Sequence, residues 1–241
     1  MTITRFPMVA AHTGCGSSPD NTVESFLEGV RLGADIVEVD LRAARDGTVV
    51  LLHDDHPYLQ EYSYEELNQP RIRAQVSPIY EQYEIVRLED ILHIARQHKV
   101  MLNLDIKTPA AIESVIHVVK QFGAAEQVFI TGCSENITSR YKDIQVVYNT
   151  PQKFTGREAD DYALYVERVC NEAVLGSYYG LNMEYRTCRE GLVAHAHSVG
   201  LAVWVYTVNN TPDMEYFIRL GVDAITTKEV LALKQLNIST S

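Results

Sequence analysis

No apolar run in this chain approaches the ~18 residues that a membrane-spanning helix requires, because Asp, Glu, Arg or Lys interrupts each candidate. No integral membrane segment is expected. The opening stretch MTITRFPMVAAH has one early Arg and a short apolar patch, too little for a secretory leader, so cytoplasmic residence is the expectation. Cysteine is sparse as well. Cys15, Cys133, Cys170 and Cys188 are scattered, form no CxxC pair and have no histidine at zinc-finger spacing, which argues against a disulfide framework or a structural zinc. Basic residues number 21 against 32 acidic ones, and the formal charge of -11 repels phosphate backbones, so nucleic acid is not an expected partner. A small anionic substrate would need a local cation to offset that field.

What is present fits one domain, residues 1–241. The length is close to the roughly 250 residues of a single (β/α)8 barrel. Short β-branched runs alternate with amphipathic stretches along the whole chain, about eight times, which is the pattern of a parallel sheet with crossover helices. The expected strands are MVAAH ending at His12, IVEVDL ending at Leu41, MLNLDIK ending at Lys107, QVFITG, IQVVYN, GLNMEY, AVWVYTV ending at Val208 and AITT ending at Thr227. Helices are expected over 22–32, 88–98, 110–122, 134–141, 159–170, 189–199, 212–220 and 228–236. Asn21 or Thr22 suits the cap of the first. One segment breaks the alternation: in RAARDGTVVLLHDD the Asp46-Gly47 pair predicts a tight turn, hence a hairpin after the second strand. Residues 58–84, rich in Tyr, Gln, Pro and Glu, read as a flap or short insertion with a helical hint only at YEEL. The expected fold is an α/β (β/α)8 TIM barrel with that hairpin and insertion.

Side chains two apart on a strand share a face, so Glu38 and Asp40 project together, as do Asn103, Asp105 and Lys107. Carboxylates on an otherwise apolar strand are costly to bury without a cation. Three of them, at the C-terminal ends of adjacent strands, would make an all-oxygen site suited to one divalent cation, Mg2+ or Ca2+. A salt-bridge network neutralised by Lys107 is the alternative. His12 closes the first strand and His53 the hairpin, and histidines flanking a metal serve as general base and general acid. Cys15 has no paired base, and His195 and His197, two apart on a helix, face different ways, which suits neither for the site.

The string AHTGCGSSPDNTVESFLEGVRLGADIVEVDLRAARDGTVVLLHDD, read with LNLDIK, resembles the glycerophosphodiester phosphodiesterase family, whose opening runs approximately HRG, PENT, GAD, ExD, DG and HD. IVRLEDIL and YTVNNTPDMEYFIRLGVDAITT continue the likeness over most of the chain. The resemblance implies the same barrel, catalytic roles for His12 and His53, and metal ligation by Glu38, Asp40 and Asp105, the last standing where the family usually has Glu. It places Lys107, Thr13, Asn21 and Tyr206 at the substrate. Thr13 stands for the family's Arg beside the first histidine, which removes a bidentate phosphate donor, and Tyr206 stands for its Trp. The implied reaction is metal-dependent hydrolysis of a small-molecule glycerophosphodiester to glycerol phosphate and an alcohol. Two other readings stay open: a phospholipid-acting phosphodiesterase of the same barrel group, for which Tyr58, Tyr62, Tyr64 and Tyr80 would supply an aromatic rim, and a noncatalytic phosphodiester-binding relative. Homo-oligomerisation is left open.

Overall fold

Val, Ile, Leu and Met recur at alternate positions of most strand-forming runs, which turns one face of each strand toward an apolar layer of helices. The computed structural model describes residues 5–239. Among them run β1 (Met8–Ala11), β2 (Ile36–Ala43), β3 (Val49–Leu51), β4 (Met101–Ile106), β5 (Val128–Gly132), β6 (Gln145–Asn149), β7 (Gly180–Glu184), β8 (Ala202–Tyr206) and β9 (Ala224–Thr227). All but β3 are parallel and pair in the order β1-β9-β8-β7-β6-β5-β4-β2, and β1 on β2 closes the ring. This is the eight-stranded barrel that the alternation predicts, with helices between the strands. β2 outruns β1: its upper residues Leu41 to Ala43 pair antiparallel with β3, which is the hairpin turned at Asp46-Gly47.

Strand parity sorts the barrel interior by depth. Met8, Met101 and Ala202 pack against a middle layer of Ala10, Ile36, Phe129, Val147, Trp204 and Ala224. Trp204 is fully buried, with its ring edge-on to Phe129 at 4.7 Å between centroids. Truncating such a plug to Ala costs about 3–5 kcal/mol. Two residues further along the same strand faces, the inward positions become His12, Glu38, Asn103, Thr131, Asn149 and Tyr206, so the apolar plug ends where a polar mouth begins. Outside the ring, a larger apolar cluster joins the strands to the helices. The helix Val23–Arg31 shows how: Thr22 caps it by accepting from the Ser25 amide at 3.1 Å. Gly29 lets it lie against Ala11 and Val37, where a Cβ would stand 3.1 and 3.2 Å from their side chains.

Three expectations need correction. The helix expected over 159–170 is two, Gly156–Asp160 and Tyr162–Leu175, because Asp161 turns out of the first and caps the second through the Ala163 amide at 3.1 Å. The one expected over 134–141 shrinks to Ile137–Arg140, since Asn136 is left-handed at φ 63° and cannot extend it. Residues 58–84 form the expected short insertion but hold more helix than the hint at YEEL. They fold into helices Tyr58–Glu61, Tyr64–Leu67 and Pro70–Val76 over a second small core of Ala44, Val50, Leu52, Leu59, Leu67, Tyr80 and Ile85. Among the described residues no helix is long and apolar enough to cross a membrane.

Candidate active site

The barrel carries its polar mouth at the C-terminal strand ends, around a cavity of about 580 Å3. Glu38, Asp40 and Asp105 each offer an oxygen within 4.8 Å of the others. Their strand register explains this, since Asp40 lies directly beside Asp105 on β2 and β4, and Glu38 beside Asn103. Lys107, just past β4, reaches back with its Nζ 2.7 Å from Asp40 Oδ1 and 2.5 Å from Asp105 Oδ2. Opposite, the Thr131 hydroxyl lies 2.9 Å from Asp105 Oδ1 and 3.1 Å from Asn103 Oδ1, and its single proton serves one of them at a time. Asp105 can approach so closely because Gly132, at φ +74°, has no Cβ to meet its Oδ1 and the Ile106 carbonyl.

The electrostatics are unbalanced toward the anion. Three carboxylates face one ammonium. Burial, then Asp40 and Asp105, push the Glu38 carboxyl well above its ordinary value. At Asp40 burial acts in the same upward direction, but Lys107, Asn21 and His53 outweigh it and hold the carboxyl below its usual range. Burial opposes the charge of Lys107, yet Asp105 and Asp40 prevail and raise its value. Lysine therefore settles Asp40 and Asp105 while Glu38 is left among like charges with the Thr13 amide as a donor at 3.1 Å. An oxygen-only donor set with surplus negative charge fits a hard divalent cation. The salt-bridge network and the acidic group that could hold a metal are thus one constellation, in which Lys107 covers part of the charge.

His12 and His53 both border this cavity. His12 Nδ1 lies 2.7 Å from the Thr13 carbonyl and His53 Nδ1 2.7 Å from Asp54 Oδ1. Both partners only accept, so each Nδ1 carries the proton and each Nε2 is left unengaged among the described residues. His12 is the more enclosed, its side chain 28% exposed against 64% for His53, which follows β3 at the base of the hairpin, away from the Asp46-Gly47 turn. Arg42 fixes the segment after β3: its Nε donates to the His53 carbonyl at 3.0 Å and its Nη1 lies 3.4 Å from Asp55. Arg42 shares the face of Glu38 and Asp40, but a strand ended at Leu41 hides it.

Two residues expected at the substrate are elsewhere. Thr13 is buried and does not line the cavity; its hydroxyl accepts from the Asn21 amide at 2.6 Å while its own amide holds Glu38. Asn21, also buried, donates from Nδ2 to Asp40 Oδ2 at 2.8 Å and accepts the Asp40 backbone amide on Oδ1 at 3.1 Å. Both are therefore holders of the acids. Tyr206 and Lys107 do line the cavity. So do Asn149, Gln152 and Asn182, which the sequence reading did not single out; Asn149 ends a strand-like run, Asn182 sits in the middle of one, and Gln152 sits in a loop without periodicity. Burial pushes the Cys15 thiol up to about 11, which leaves it protonated and unsuited to attack.

The pattern of the Glycerophosphoryl diester phosphodiesterase family matches residues 12–232. A glycerophosphodiester phosphodiesterase of Caldanaerobacter subterraneus subsp. tengcongensis is 24% identical over 236 residues, covering 92% of this chain and 94% of its own length. Among solved structures, an Oleispira antarctica phosphodiesterase in complex with the product sn-glycerol-3-phosphate superposes with a TM-score of 0.78 at 20% identity over 97% of both chains. A glycerophosphodiester phosphodiesterase from Parabacteroides distasonis gives 0.78 at 21% over 98% of both. With the barrel, the acid cluster and a family match that begins at His12 and runs past the last strand, the chain belongs to the glycerophosphoryl diester phosphodiesterase family and is an enzyme of phosphodiester hydrolysis.

Proposed function

We propose that residues 1–241 act as one catalytic domain that hydrolyses glycerophosphodiesters to glycerol phosphate and an alcohol, using one Mg2+ or Ca2+. The observation that carries this reading is the pair of imidazoles, each with Nδ1 engaged and Nε2 left free, bordering the same cavity as three clustered carboxylates. Glu38, Asp40 and Asp105 would hold the cation. Bound there, it would draw charge from a phosphoryl oxygen. One histidine Nε2 takes the proton of the attacking group, either water or the neighbouring glycerol hydroxyl, and the other protonates the departing alcohol oxygen; where the glycerol hydroxyl attacks, water then opens the resulting cyclic phosphate, with the histidines exchanging roles, to give glycerol phosphate. Lys107 keeps Asp40 and Asp105 together and adds positive charge beside the phosphoryl group. The sn-glycerol-3-phosphate bound to the Oleispira relative is the kind of product this scheme delivers.

The lipid reading loses its support, because the four tyrosines that suggested an aromatic rim pack instead on the insertion's own core, with Tyr80 only 2% exposed. Four free cysteines agree with a cytoplasmic setting. The test is hydrolysis of glycerophosphodiesters by chelator-treated protein, with and without Mg2+ or Ca2+. Chelation should abolish turnover and either ion should restore it, while His12→Ala and His53→Ala should lower kcat by ~10²-fold or more with circular dichroism unchanged. Full turnover in chelator, or none with either ion, overturns the reading.

A further inference from the structure

The mouth of the barrel has two unlike halves. The ionic half spans β1 to β4 and extends to Glu135 in the loop after β5. Across from it, β6 to β8 and the loop after β6 present Asn149, Gln152, Asn182 and Tyr206, all neutral and all able to donate and accept. Neighbouring register on β6 and β7 places the two asparagines side by side, and Asn182 Nδ2 donates to Asn149 Oδ1 at 2.7 Å. That bond leaves both Asn149 N–H groups and the second N–H and carbonyl oxygen of Asn182 for a ligand. Gln152 Nε2 donates to the Tyr206 hydroxyl at 3.2 Å, which leaves the phenolic proton and the Gln152 carbonyl oxygen in the same way. The wall is thus a row of closely spaced, alternating donors and acceptors.

Such a wall matches an organic group with hydroxyls on adjacent carbons. A quaternary ammonium group needs several aromatic faces around it, and Tyr206 is the one Phe, Tyr or Trp side chain that the described residues bring to this cavity. Apolar groups laid here would leave the amides without partners, the situation in which hydrogen-bonding sites discriminate most strongly. Resting on the phosphodiesterase reading above, we infer that Asn149, Gln152 and Asn182 select diesters whose leaving alcohol is itself a polyol, and disfavour choline-type alcohols. The three amides are specificity determinants, separate from the acid and histidine groups that act on phosphorus.

The experiment compares kcat/KM for glycerophosphoglycerol, glycerophosphoinositol, glycerophosphocholine and glycerophosphoethanolamine, with Mg2+ or Ca2+ supplied. The polyol esters should exceed the choline ester by roughly 10-fold or more. In Asn149→Leu and Asn182→Leu that ratio should fall toward unity. Gln152→Ala, in an exposed loop where folding is not at stake, should lower it in the same direction. Equal or better use of the choline ester by the unaltered protein overturns the inference alone. So does a ratio unchanged in Gln152→Ala and in the folded asparagine variants, which would put the wall against the glycerol arm that all four esters share. Absence of turnover on all four overturns the phosphodiesterase reading and this inference with it.

Discussion

Asn21 gives both ends of its amide to Asp40, one to the side chain and one to the backbone. It does so from a left-handed conformation, φ 61°, that asparagine tolerates better than most residues. Removing the amide while keeping the volume would strip Asp40 of a donor and leave its buried N–H unpaired. Asn21→Leu should therefore cost about 1–3 kcal/mol in urea unfolding. It should also raise the cation concentration for half-maximal activity by ~10- to 100-fold, the usual effect of losing a group that orients a ligand. An unchanged cation requirement would show that Lys107 alone positions Asp40. The Thr13 departure belongs to the same loop: a threonine hydroxyl holds the Asn21 amide where the family has a cationic side chain, so on the proposed reading the phosphate would rely on Lys107 and the cation for positive charge.

Among the elements, the insertion at 58–84 is the one built most independently of the barrel. Its core centres on Leu67, which is fully buried. Leu67→Ala leaves a void in a cluster too small to close over it, at a cost of about 2–5 kcal/mol to that unit. The expected result is rapid proteolysis within 58–84 at temperatures where the barrel stays resistant; cleavage spread evenly over the chain would instead show one cooperative unit. This element is also where the sequence was least informative. Its helices have four, four and seven residues, too short for a 3.6-residue period to register. The barrel strands were legible because each is a short, mostly apolar run between turn signals or helical stretches, and Glu38, Asp40 and Asp105 because parity on a strand is unambiguous. Asn149 and Asn182 obey the same parity, but a lone amide on a strand has many structural uses, and only the assembled ring puts the two side by side.

At the scale of the whole molecule, a chain of formal charge -11 concentrates three carboxylates against one lysine at the mouth that must receive an anion. The fold itself bears the consequence. The raised value of Glu38 means that the folded state disfavours its ionised form, so that contribution to stability is present below the unfolded value of ~4.3 and lost as pH rises through the folded one. At neutral pH the cation-free protein should accordingly be strained at this point, and a divalent ion should stabilise it by mass action. At 100 times its dissociation constant the gain is about 2.7 kcal/mol, and a chain of this size gains about 2–4 °C per kcal/mol. Thermal unfolding with Mg2+ or Ca2+ should then show Tm rising by roughly 5–10 °C over the chelated protein. Glu38→Gln separates the two effects, because it removes the buried charge and the ligand together: Tm in chelator should match or exceed that of the unaltered chain, and the rise with cation should vanish. A variant that loses stability in chelator yet keeps its full response to the ion would place the cation elsewhere and assign Glu38 to holding Thr13.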